Sequence, residues 1–250
     1  MNTCPVSFVG AGSGDPELIT LKGRRLLDTA DVIVWAGSLV NPALLEGVRA
    51  EIHDSAAMDL DAIIDILARS WRAGKKVVRL HTGDPAIYGA IREQMQRLDE
   101  LGIPYRVVPG VSSALAAAAA VKAELTVPEV TQTVIFTRQS GRTPVPERES
   151  LRHLAAIQAS MCVFLSVSMI DTVVDELVAG GYPQQTPVAV VEKVTWPDER
   201  IVRGTLATIA GRVREAGIRK TAMILVGRAL GRDDETVSRL YDEGFSHGYR

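Results

Sequence analysis

The chain has 250 residues, which at roughly 150 per domain allows one large α/β domain or two smaller ones with a sizeable core. Hydrophobic residues make up 46%, charged residues 23%, and mean hydropathy is +0.11, which excludes a disordered chain. Lys plus Arg number 28 against 30 Asp plus Glu, a net charge of −2, so no global field draws the chain to nucleic acid or an anionic membrane; a small ligand is the expected partner.

The first strand is expected in VSFV, because MNTCPVSFVG has no basic segment before its apolar stretch and runs into a glycine turn, unlike a signal peptide. The apolar runs at 114–121 and 161–165 are far below the roughly 18 residues that span a bilayer, so the cytoplasm is the expected compartment. Cys4 and Cys162 form no CxxC pair and lie in apolar, strand-like text, which reads as two buried thiols.

After the first strand come Gly10, Gly12 and Gly14, then Asp15 and Pro16, which suit a helix cap and a first helical position. DVIVW at 31–35 is a second strand, and 60–72 carries apolar residues at helical spacing. KVVRLH at 76–81 repeats the opening pattern: strand, then a Thr82-Gly83 turn, then Asp84-Pro85 as a helix entry. The third copy is YRVV at 105–108, Pro109-Gly110, and Ser112 and Ser113 capping an alanine-rich helix through Val121. Strands alternating with helices predict a mostly parallel sheet.

Around 124–132 the text turns polar, and a second half begins with VIFT at 134–137. It continues through the loop RQSGRTPVPE, a helix to about Gln158, a strand at 161–167 and a helix to Ala179. A hairpin of PVAVVEKV (187–194) and ERIVRGT (199–205), a helix over 206–215 and the strand AMILVG (222–227) complete it. The expected organisation is an N-terminal lobe over 1–122, a C-terminal lobe with a mixed sheet over 132–230, and a polar tail over 231–250 that frays.

The GAGSG loop invites a dinucleotide reading, but its third glycine comes one residue early, and VIVW ends in Ala36 and Gly37 where a ribose-binding acid is needed. No P-loop, GxSxG or HExxH occurs, and the four histidines at 53, 81, 153 and 247 are scattered, so metal and serine-hydrolase chemistry have no support. The repeated Gly-Asp-Pro at 14–16 and 83–85 caps two helix entries; if both loops face one cleft, their carboxylates disfavour a triphosphate and favour a cationic ligand. His81 alone among the histidines ends a strand beside a glycine turn, where it is either a ligand contact or a solvated loop residue. Arg138, Arg142, Arg148 and Arg152 cluster around one loop and are either an anion site or a solvated face. Trp196, before Pro197, shapes a hairpin turn or borders a flat ligand.

Four segments carry more: VGAGSGDPELITLKG (9–23), VRLHTGDPAIYGAI (78–91), VVPGVSSALAAAAA (107–120) and TPVAVVEKVTWPDERIVRGTL (186–206). In this order they resemble the signature segments of the tetrapyrrole (corrin and porphyrin) methyltransferases, with a match from about Val6 to Leu230. HTGDPAIYGA, AELTVPEVTQTVIFTRQSGRTPVPE and TWPDERIVRGT are similar to the branch of that family that methylates C11 of precorrin-4, or its cobalt form, on the way to cobalamin.

The resemblance implies a class III methyltransferase: two α/β lobes, S-adenosylmethionine folded in the cleft between them, S-adenosylhomocysteine as product, a tetrapyrrole substrate and a homodimer. Carried over by motif, the cofactor contacts are Ser13, Thr82, Gly83, Asp84, Ile87, Ser112, Ser113, Leu165, Ala189 and Ala222. Arg138 and Arg142, with His81 and Trp196, are the candidates for the macrocycle; no catalytic side chain and no metal ligand are assigned. Relatives that methylate uroporphyrinogen carry an aspartate, proposed for proton transfer, where this chain has Ala36, so that role does not transfer. The rival readings are a sibling enzyme with another target carbon, a non-catalytic adenosylmethionine sensor or tetrapyrrole carrier, and a dinucleotide oxidoreductase.

Overall fold

The computed structural model describes residues 4–231. The chain divides into two compact units, Met1–Ser113 with Thr195–Pro197, and Ala114–Val194 with Asp198–Arg250.

In the first unit, β1 (Val6–Gly10), β2 (Val32–Trp35), β3 (Glu51–Asp54), β4 (Val77–His81) and β5 (Tyr105–Val108) form one sheet in the order β3-β2-β4-β1-β5. Every pairing in it is parallel, as the strand-helix alternation predicts. Side-chain alternation divides its core into two layers. Val9, Ile33, Val78 and Leu80 pack with Leu27 of α1 (Leu21–Asp28) on one face. On the other, Val6, Phe8, Val34 and Val77 pack with Ile63, Ile64 and Leu67 of α2 (Leu60–Arg72) and Leu98 of α3 (Ile91–Glu100). From β1 the chain crosses β4 to reach β2, and from β4 it crosses β1 to reach β5. The two crossovers diverge at the carboxyl ends of β1 and β4, the place where an open parallel sheet forms a ligand crevice.

Four local readings change. Asp84-Pro85 opens a run of turns, not a helix; Tyr88 (φ 54) and Ala90 (φ 48) are left-handed, which interrupts any helix there, and α3 waits until Ile91. Asp15-Pro16 starts only a short 3-10 helix over Pro16–Leu18, after which the Thr20 hydroxyl accepts the Gly23 N–H at 3.1 Å and caps α1. β3 is absent from the sequence reading because EIHD, an edge strand with mostly exposed residues, has a single strong β-former in Ile52. Cys4 is exposed, not buried: it lies before β1, where its carbonyl accepts the Trp71 indole N–H at 2.8 Å.

In the second unit, β6 (Val134–Arg138), β7 (Ser160–Phe164), β8 (Pro187–Glu192), β9 (Arg200–Thr205) and β10 (Ala222–Val226) pair in the order β6-β7-β10-β8-β9. Only β6 and β7 are parallel, so the sheet is mixed, and β8 and β9 form the expected hairpin. Met161, Val163, Val188, Val190, Ile224 and Val226 share one face. Against them pack Leu151 of α5 (Leu151–Ala155), Val173 and Leu177 of α6 (Ile170–Ala179), and Ile209 and Val213 of α7 (Ile209–Glu215). The helix expected to reach Gln158 stops at Ala155, and Gln158 itself is left-handed at φ 52. The alanine-rich α4 (Ser113–Ala120) precedes this sheet; Arg203 donates to the Val121 carbonyl at 2.6 Å, and Ser160 Oγ to that of Leu125 at 2.7 Å. Beyond Gly231, the tail expected to fray lies outside the described residues.

Candidate cofactor and substrate site

In the first unit, the turns after β1, β4 and β5 meet with almost no space between their backbones. A Cβ built on Gly10 would lie 2.6 Å from the Gly83 carbonyl and 2.7 Å from the Gly110 Cα; one built on Gly110 would lie 2.2 Å from the Gly83 carbonyl. Glycine is therefore required at both places for contact, and at Gly83 (φ 58) also for conformation. Gly83 donates to the Gly12 carbonyl at 2.7 Å, and Ala11 donates to the His81 carbonyl at 2.7 Å, which zips the first two turns together. Asp84 closes the third side: its Oδ1 accepts the Ala86 N–H at 2.8 Å and its Oδ2 accepts the Gly110 N–H at 2.9 Å.

The GAGSG loop is held from two further points. Ser13 Oγ lies 3.0 Å from Thr195 Oγ1, which also accepts the Asp15 N–H at 2.9 Å. Asn41 Nδ2 donates to the Gly14 carbonyl at 2.9 Å, while its Oδ1 caps Ala43 at 3.0 Å. Both Gly-Asp-Pro aspartates thus serve the backbone, Asp15 by accepting the Glu17 N–H at 2.9 Å and Asp84 through both oxygens. They shape the turns, in line with the capping read from the sequence.

Thr82, Gly83, Asp84, Ser112 and Ser113 are brought together here; a Cβ on Gly83 would lie 3.8 Å from the Ser113 nitrogen. Ser13 and Ser112 are buried, while Thr82, Ile87 and Ser113 are half-buried. Trp196 is half-buried and, with Thr195 and Pro197, belongs to the first unit.

His81 departs from the solvated alternative: it is 5% exposed, its ring is 5.9 Å from that of Phe8, and its Nε2 is buried without a hydrogen-bond partner. Burial, with the Arg79 charge adding to it, pushes its pKa down to about 3. Arg79, two residues earlier on the same face, is also 5% exposed, and burial lowers its pKa to about 10. Its Nε donates to Gln94 Oε1 at 3.1 Å and its Nη1 to the Val34 carbonyl at 3.2 Å, so its partners are neutral.

The remaining candidates lie in the second unit. Leu165 follows β7 in the left-handed region (φ 53) with 69% of its surface exposed, an unusual state for a leucine. Beside it, Ser166 Oγ donates to the Phe164 carbonyl at 2.6 Å and accepts the Gln139 N–H at 2.9 Å. Ala189 pairs with Leu225, whereas Ala222 pairs with Glu192 and packs with the helix-covered face. By the period of two, the alanines point to opposite faces of the sheet, so a ligand meets at most one of their side chains. Arg138 spends its guanidinium on the loop after β6, donating to the Thr143 carbonyl at 3.0 Å and that of Pro144 at 2.9 Å. Arg142 is exposed in that loop, and Arg152 is paired with Glu176 at 2.8 Å.

Sequence reasoning passed over Thr195, Asn41, Ser166 and Arg79. Asn41 had a visible signal in the Asn-Pro pair that opens a turn; Thr195, 182 residues from Ser13, had none. Among the described residues no group of three His, Cys, Asp or Glu could hold a metal ion, and no helix is long and apolar enough to cross a membrane.

The family model of Tetrapyrrole (Corrin/Porphyrin) Methylases matches residues 5–210. A cobalt-precorrin-4 C(11)-methyltransferase of Methanocaldococcus jannaschii is 57% identical over 100% of this chain and 97% of its own. The solved structure of a cobalt precorrin-4 methyltransferase superposes with a TM-score of 0.89 at 49% identity, covering 91% of this chain and 96% of the other. A uroporphyrin-III C-methyl transferase of Thermus thermophilus, solved with S-adenosyl homocysteine, gives 0.77 at 31% identity, covering 90% and 98%. With the family model over most of the chain and near-complete coverage by its relatives in agreement, this chain belongs to the tetrapyrrole (corrin/porphyrin) methylases.

Proposed function

We propose that this protein transfers the methyl group of S-adenosylmethionine to C11 of precorrin-4, or of its cobalt complex, in the formation of the corrin ring of cobalamin. The observation that carries the reading is the full-length 57% identity to a relative of that name, against 31% to a uroporphyrin-III methyltransferase of the same fold. Ala36 in place of the aspartate implied for uroporphyrinogen methylation points the same way.

The pinched backbone at Gly10, Gly83 and Gly110 suits a ligand laid against main chain. Ser13, Thr82, Gly83, Asp84, Ile87, Ser112, Ser113, Leu165, Ala189 and Ala222 are the residues proposed to hold the cofactor, at least one of the two alanines through its main chain, with Asp84 acting as a brace between two turns. When bound, S-adenosylmethionine supplies an electrophilic methyl carbon on a sulfonium with a neutral leaving group. The electron-rich C11 is itself the nucleophile, so the chain's task is to orient and to exclude water. Alignment of this kind is worth up to roughly 7–11 kcal/mol of barrier. Arg142 and Trp196 are proposed to face the macrocycle, with Arg138 shaping the loop that carries Arg142. The working form is proposed to be a cytoplasmic homodimer.

Incubation with precorrin-4 and methyl-¹³C S-adenosylmethionine, followed by NMR of the product, tests the reading. Label at C11 is the expected result; label at another ring carbon would make the protein a sibling enzyme, and absence of S-adenosylhomocysteine formation would make it a binder without turnover.

A further inference from the structure

The unexplained chemistry in the first unit is a pair of buried polar groups on the α2/α3 face of the sheet. Arg79 carries a full charge at 5% exposure, and among the described residues no carboxylate forms an ion pair with it. A buried guanidinium without a counter-ion is expensive, and its neutral partners compensate it only in part. His81, at 5% exposure, leaves Nε2 with no partner at all. Two uncompensated groups this close, at the carboxyl end of a parallel strand, have the character of a binding site and not of a core.

The register shows where they aim. α3 returns antiparallel to β4 across this face, and Gln94 of α3 stands level with Arg79 through their 3.1 Å hydrogen bond. Moving from Arg79 to His81 advances about 6.6 Å along the strand, which on a helix is about four residues. His81 therefore lies level with Ala90, the N-cap of α3. Ala90 is left-handed and offers no side-chain acceptor to the first turn, so the positive end of the helix is uncapped toward the histidine. Glu93, the acidic residue of that turn, is exposed, whereas Gln94 is buried.

We infer that Arg79, His81 Nε2 and the first turn of α3 form a subsite for a ligand carboxylate, with Gln94 orienting the guanidinium. The inference rests on the methyltransferase reading, under which two ligands bring carboxylates: the amino-acid end of the cofactor and the acid side chains of the macrocycle. A carboxylate supplies the counter-ion that Arg79 lacks and an acceptor for the N–H of neutral His81 in its Nε2–H tautomer. Reaching it requires the loop 84–90 to ease, and that loop holds the left-handed Tyr88 and Ala90.

His81→Phe is the main test, with His81→Gln and Arg79→Gln beside it. Phenylalanine removes the orphan nitrogen, so its melting temperature should equal or exceed that of the unaltered protein, while affinity for the carboxylate ligand falls at least fivefold. Calorimetry with S-adenosylhomocysteine, with 5′-methylthioadenosine, which lacks the carboxylate, and with uroporphyrin III identifies the source. Weaker binding of S-adenosylhomocysteine alone assigns the subsite to the cofactor, and weaker binding of uroporphyrin III alone assigns it to the macrocycle. Unchanged binding of both by folded variants overturns the subsite, as does an equal loss for 5′-methylthioadenosine. Should the variants not fold, the histidine ¹⁵N spectrum of the unaltered protein decides: the His81 Nε2 signal must shift with one of the two carboxylate ligands, and no shift with either overturns the proposal. If the unaltered protein fails to bind S-adenosylhomocysteine, the methyltransferase reading itself falls.

Discussion

Asp84 and Gly110, 26 positions apart in the chain, are joined by a 2.9 Å hydrogen bond from the glycine N–H to Oδ2, which ties the turn after β4 to the turn after β5. The carboxylate completes its work with Oδ1 on Ala86, so both oxygens are committed to backbone. Asp84→Asn replaces one of these acceptors by a donor. The expected result is a loss of about 1–3 kcal/mol in stability, read by urea denaturation, and about a tenfold loss in S-adenosylhomocysteine affinity, read by calorimetry.

Gly110→Ala would force a Cβ to within 2.2 Å of the Gly83 carbonyl, a backbone atom with nowhere to retreat. A destabilisation of about 3 kcal/mol is expected. Gly47→Ala is the contrasting case: Gly47 is left-handed at φ 74, which Gly110 is not, but has open space around it, and its cost should stay near 1 kcal/mol. A loss at 110 no larger than at 47 would show that the backbone around Gly110 gives way to the added Cβ.

Arg138 and Arg142 should separate under substitution by lysine. Arg138 reaches two carbonyls at once through a planar fork, which an ammonium cannot reproduce, so Arg138→Lys should raise the Michaelis constant for the tetrapyrrole nearly as much as Arg138→Ala, about tenfold. At Arg142 charge alone is asked for, and Arg142→Lys should stay within about threefold of the unaltered enzyme. Steady-state kinetics on both pairs checks this.

Stability should fall in acid because of His81. Its pKa is about 3 folded against 6.5 for the free side chain, so the unfolded chain takes up a proton that the folded one refuses. The contribution is fully present above about 6.5 and is lost as pH drops toward 3, with a slope of up to about 1.4 kcal/mol per pH unit. His81→Phe should flatten the stability profile between pH 6 and 4, measured by denaturation at fixed temperature, by that one-proton slope.

The two thiols should respond differently to an aromatic disulfide reagent at pH 8. Cys4 is exposed, whereas Cys162 is buried with its pKa pushed up to about 12. Only Cys4 should react in the native protein, and Cys162 should follow after denaturation.

Much of this fold was legible because its strands are strongly apolar and its glycines sit where strands end. VSFVG, VIVW and VVRLH read as strands on composition alone, and the three glycine turns converge as their repetition suggested. What stayed hidden depended on partners distant in sequence. EIHD pairs only as an edge, so it needs no apolar signature. Arg138 was legible as a cation and not as a loop brace, because its acceptors are carbonyls, which every residue has. His81 was left open between a ligand contact and a solvated loop residue, since nothing in HTGDP announces that the ring is buried beside Phe8. Ala189 and Ala222 were named together by motif, whereas only strand register reveals their opposite faces.

The hydroxyl of Thr195 holds a loop made 180 residues earlier, through the Asp15 N–H and the Ser13 side chain. At typical synthesis rates of 5–20 residues per second, about 10–40 s separate the emergence of that loop from the arrival of its brace. All five strands of the first sheet exist by Val108, yet the GAGSG turn is finished only when the tip of the β8–β9 hairpin appears. A nascent chain released before Thr195 would own a nearly whole first unit whose GAGSG turn still lacks its brace, so the order of synthesis leaves this turn to be set last.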